Sequence, residues 1–106
     1  MAKCRFIAMF QASNGQDIYR DPKMRAMIHV LLKKVLNEKG NGGTIGEDSH
    51  QGYGNIFIPI EYNGTIDEAK CIIIENFPPK MIVEFRGERM PNVIITFRGE
   101  QTIRSS

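Results

Sequence analysis

Residues 21 to 40 constrain this chain more than any other stretch. Asp21 carries the side chain of a helix N-cap, Pro22 suits the first helical position, and Gly40 can take the left-handed conformation that closes a far end. Between them Met24, Met27, Ile28, Leu31, Leu32 and Val35 recur at three- and four-residue spacing, which predicts an amphipathic helix over 22–38. The remaining apolar segments are β-branched and aromatic: "KCRFIAMF" (3–10), "NIFIPIEY" (55–62), "MIVEFRGE" (81–88) and "NVIITFRGE" (92–100) read as strands. The helix stripe must therefore be buried on a sheet.

"TIDEAKCIIIENF" (65–77) supports two readings. Thr65 and Glu68 have capping-box spacing, and Ile66, Ala69, Ile72, Ile73 and Phe77 would share a helical face ended by Pro78 and Pro79. Against this, Asn63–Gly64 is a hairpin signal and "CIII" is strand-like. The balance tilts to a short second helix over 66–76. The order is then β-α-β-α-β-β, with β-α-β-β-β-β as the alternative. Either is an α+β, two-layer fold, a mainly antiparallel sheet with the long helix packed on one face. At 106 residues there is room for one core, so 1–106 is read as a single domain. Pro59 cannot donate to a ladder, which places its strand at an edge or a bulge and makes the surroundings of Ile58 a place for a partner.

"IVEFRGE" (82–88) returns as "IITFRGE" (94–100). As a hairpin, the two strands bury Met81, Val83 and Phe85 with Val93, Ile95 and Phe97 only if odd residues pair with odd ones. Arg86 and Arg98 then share the outer face, anchored on the order of 14–20 Å apart at about 3.4 Å per residue, too far to clamp one phosphate. Two separated cations could suit an extended anion, and pairing with Glu75, Glu84 or Glu100 explains them equally well.

The net charge of +2 conceals an asymmetry. Residues 1–39 carry eight Lys and Arg against three acids, and 40–106 carry six against nine. The basic half holds the long helix, whose Arg25, Lys33 and Lys34 form a cationic exterior. Cys4 and Cys71 have no CxxC partner or histidine cluster, so they read as buried thiols, and no metal or cofactor is expected. No apolar run reaches the roughly 18–20 residues of a membrane helix, and the N-terminal stretch lacks a secretory h-region, so a cytoplasmic protein with no membrane partner is expected.

Residues 40–55, "GNGGTIGEDSHQGYGN", contain six glycines in sixteen residues. A long glycine-rich loop in a small domain is a candidate site, here with Gly43, Gly46, Glu47, Asp48, His50 and Tyr53. Ser49 beside His50 is not a triad, since adjacent residues rarely place a hydroxyl and an imidazole productively, and the glycines lack the phosphate-loop and dinucleotide patterns.

Three functions follow as expectations. The first is a non-enzymatic protein-binding module, whether inhibitor, adaptor or self-associating subunit, using a strand edge near Ile58 and the glycine-rich loop. Small accessory proteins of phages or plasmids offer an analogy of size alone. The second is nucleic-acid binding through Arg25, Lys33, Lys34, Arg86 and Arg98, weakened by a pI near 8.6 and by the lack of RNP or GXXG motifs. The third is a small enzyme or ligand-binding protein centred on His50 and Tyr53.

Overall fold

The computed structural model describes residues 2–12, 15, 17–47, 54–77, 84–85, 88–89 and 93–104. In chain order they form β1 (Ala2–Ala12), α1 (Pro22–Lys39), β2 (Gly43–Ile45), β3 (Ile56–Tyr62), α2 (Ile66–Asn76), β4 (Glu84–Phe85), β5 (Glu88–Arg89) and β6 (Val93–Arg104). Four strands make one antiparallel sheet in the order β2-β3-β1-β6. Because β1 and β2 are both antiparallel to β3, they run the same way, with α1 between them in sequence. β3 and β6 are likewise parallel across β1, with α2 between them. Two interleaved split β-α-β units result, the connectivity called ferredoxin-like. That connectivity hosts many functions and assigns none.

The α+β two-layer fold expected from the helix stripe is the one observed. On the inner face, alternate residues of β1 (Cys4, Phe6, Ala8, Phe10, Ala12) and β3 (Ile56, Ile58, Ile60, Tyr62) meet Met24, Ile28, Leu32, Val35 and Leu36 of α1 and Ala69, Ile72 and Ile73 of α2. Phe6 packs edge-on against Phe97 at 5.6 Å, and Phe10 packs against Phe77 at 5.5 Å. Asp21 caps α1 by accepting from the N–H groups of Lys23 and Met24. Thr65 caps α2 by accepting from the Glu68 N–H, which decides the ambiguous segment in favour of helix.

Four expectations need correction. Gly40 is extended, with φ −137°, and the left-handed residue is Gly42, at φ +79°, whose N–H closes the Leu36 carbonyl. The two copies of the repeat do not pair as one hairpin among the described residues: β4 pairs with β5 in a sheet of its own, and β6 pairs with β1. Part of the glycine-rich segment is strand, since β2 pairs with β3. Cys4 is buried as expected, but Cys71 is exposed.

The second copy of the repeat has a clear structural role. The β1–β6 register shifts between Arg5↔Gln101 and Ile7↔Arg98, so Gly99 and Glu100 together oppose Phe6. Gly99 takes φ +63°, the left-handed conformation of a glycine-type β-bulge. The first copy, at 86–87, lies outside the described residues.

Candidate functional site

The two edges of the sheet differ. The β2 edge has three residues, and Pro59 accounts for where its ladder stops. Gly46 N–H donates to the Pro59 carbonyl and Asn63 N–H to the Gly42 carbonyl, so residues 59 and 63 of the third strand direct their backbone groups toward β2. The ring nitrogen of Pro59 therefore faces that side and leaves no donor there. The expectation that Pro59 places its own strand at an edge or a bulge is overturned: β3 is interior, paired with β1 and β2 in unbroken register, and the proline is tolerated because β2 ends opposite it.

The same alternation determines what β6 exposes. If residues 59, 61 and 63 face β2, then Ile58, Ile60 and Tyr62 bond to Ala8, Phe6 and Cys4 of β1, their register partners. The odd residues of β1 must bond to β6, where Ile7, Met9 and Gln11 oppose Arg98, Thr96 and Ile94. Ile95 and Phe97 then turn their N–H and C=O groups to the outer edge, where no strand pairs with them among the described residues. Their side chains lie toward the core, while Ile94, Thr96 and Arg98 stand on the outer face of the sheet and are exposed. Ile94 is 48% exposed, high for an isoleucine in a strand. Arg98 lies over the Phe57 ring at 5.4 Å.

The glycine-rich segment is held to the sheet by Tyr62. This fully buried phenol accepts from the Asn41 N–H at 3.0 Å and donates to Glu68 Oε1 at 2.9 Å, linking the end of α1, β3 and the first turn of α2. A side chain at Gly40 would strike the Tyr62 hydroxyl, one at Gly43 the Glu61 carbonyl, and one at Gly64 the Tyr62 ring. Burial pushes the Tyr62 phenol above its ordinary 10.0; the Asn41 N–H opposes this and Glu68 adds to it. Burial likewise pushes the Cys4 thiol above its ordinary 9.0, so it is protonated and unreactive at neutral pH.

Of the residues singled out in the sequence, Gly43, Gly46 and Glu47 lie in or beside β2. Asp48, His50 and Tyr53 lie outside the described residues. Ile58 is misplaced: it is 0% exposed, on the inner face of an interior strand, and offers no edge to a partner. The candidate cations are separated. Arg25, Lys33 and Lys34 belong to α1 over the inner face, where Arg25 lies over Tyr19 at 4.6 Å, whereas Arg98 stands on the opposite side of the sheet. Arg86 lies outside the described residues. Sequence reasoning missed Ile94, Ile95 and Phe97 as edge residues, because nothing local says that β6 has β1 as its one partner among the described residues.

Among the described residues, no group of three His, Cys, Asp or Glu side chains could hold a metal ion, and no helix is long and apolar enough to cross a membrane. Comparisons with protein-family models, curated proteins and solved structures find no match.

Proposed function

We propose that this chain is a non-enzymatic protein-binding module that accepts an extended segment of a partner protein along β6. The observation that carries the reading is that, among the described residues, β6 pairs on one side only. Ile95 and Phe97 direct backbone donors and acceptors outward beside an exposed Ile94, the arrangement to which an added strand bonds. Main-chain bonds of this kind supply affinity, and the outward row of Ile94, Thr96 and Arg98 would supply selectivity. The division of the cations between opposite layers weighs against a single nucleic-acid surface.

A photo-crosslinking amino acid placed at position 94, with a control at Lys33 on α1, tests this in the native cell. Adducts to one defined extended segment from position 94, abolished by Ile95→Pro, which removes an outward N–H and spares the ladder to β1, and absent from position 33, are expected. Equal labelling from both positions would refute the edge as the binding site.

A further inference from the structure

The outer face of the sheet holds a cavity of about 370 Å³ that the strand-addition reading does not use. Its lining includes Arg5 and Ile7 from β1, Pro59 and Glu61 from β3, Thr44 from β2 and Gln101 from β6. We infer that this cavity binds a carboxylate attached to a small apolar group, with Arg5 as the anion-binding residue.

The charges favour an anion. Lys3 and Arg5 share a single carboxylate, that of Glu61, at 3.9 and 3.1 Å. Arg5 meets it through Nε, so the fork of two terminal nitrogens remains for a second acceptor, a geometry suited to carboxylate. The bulge keeps the site cationic. If Gly99 continued a regular ladder, Glu100 would stand opposite Arg5 on the outer face. The extra residue instead puts the neutral amide of Gln101 there and turns Glu100 to the inner side, where it pairs with Lys70 of α2.

The shape favours an apolar neighbour on the ligand. Half-buried Ile7 and exposed Pro59 provide apolar surface, and the lining positions Gly46 and Gly99 carry no side chain to fill the space. A side chain at Gly46 would meet the Pro59 ring at 2.7 Å. The volume lies within the roughly 300–1,000 Å³ of small-ligand sites. The shared chemistry could come from a free small acid or from the carboxyl end of a peptide with an apolar last residue.

Amide NMR of the labelled protein, titrated with 4-phenylbutyrate, 4-phenylbutyramide, acetyl-Ala-Ala-Phe and its C-terminal amide, tests the inference. Saturable shifts of the Arg5 Nε–H, the Gln101 side-chain amide and the Thr44 and Gly46 amides are expected with the two carboxylates only. Tighter binding of the peptide acid would assign the site to peptide ends, and tighter binding of phenylbutyrate to free acids. Arg5→Gln should weaken binding by roughly tenfold or more, as loss of a charge-assisted bond requires. Gln101→Glu, which restores a carboxylate beside Arg5, should weaken it too. Ile94→Lys should leave it unchanged, so failure at the edge and failure at the cavity are distinguishable. Equal binding of acids and amides, an unaltered Arg5→Gln, or no saturable shift up to about 10 mM ligand, the weak end of specific affinity, would overturn the proposal.

Discussion

The β2 and β6 edges close the same sheet by opposite means. β2 is three residues long, held between Gly43, whose missing side chain lets the Glu61 carbonyl approach, and a proline that offers no donor. β6 has twelve residues and begins with an apolar run, and its charges, Arg98, Glu100 and Arg104, and its bulge all lie at or beyond Arg98. Natural sheets blunt edges that must stay unpaired, with short strands, prolines and charges. Only the β2 edge is fully treated in this way. The proposed strand addition at β6 rests on this difference.

The contrast is broken most strongly by charge in the interior. Ile58→Lys buries an unpaired ammonium in the core between the sheet and the helices and should cost at least about 3–5 kcal/mol, read as a collapsed urea midpoint. Gly43→Val forces β2 away from the Glu61 carbonyl and should cost about 1–3 kcal/mol, with faster amide exchange confined first to β2 and Asn63. Exchange faster in β6 than in β2 would contradict the assignment of Gly43 to that edge.

Tyr62→Phe sharpens the picture of what secures the β2 side. Loss of the hydroxyl leaves the Asn41 N–H without its acceptor and should cost about 1–2 kcal/mol. It should also change the pH dependence. The folded phenol holds its proton above the ordinary 10.0, so the unfolded chain releases its proton first as pH rises. Relative to Tyr62→Phe, the wild type keeps this contribution in full below pH 10.0 and loses it as pH rises toward the folded value. A wild-type stability curve that stayed parallel to that of Tyr62→Phe above pH 10.0 would rule the linkage out. At the other edge, Thr96→Lys should alter stability by less than about 0.5 kcal/mol while abolishing the adduct formed from position 94, the smallest effect on the fold and the largest on binding.

Elements whose information is local could be read directly. Asp21, Pro22 and the apolar stripe located α1, and Thr65 with Glu68 located α2, because a cap is satisfied within one turn. β1, β3 and β6 were placed by their β-branched residues. Strand partners were not legible, since β6 pairs with β1 across most of the chain and the repeat invited a local hairpin instead. Gly40 and Gly42 were exchanged because both precede the turn, and only the Tyr62 hydroxyl shows which of them is needed for space. Pro59 was informative about hydrogen bonding and misleading about Ile58: it marks where β2 ends, not where β3 is exposed.

The bulge at Gly99 also sets how β6 tolerates changes of length. A strand is a two-beat rhythm, and gaining or losing one residue ordinarily inverts every later beat. Here the surplus beat is already absorbed opposite Phe6. Deleting Gly99 alone would leave Gln101 opposite Arg5 and Thr102 opposite Cys4, as they are now, whereas deleting Thr96 would throw the preceding residues out of step with β1. The reading frame of the strand is thus elastic at one residue and rigid around it, and natural length variation in β6 should be confined to that position.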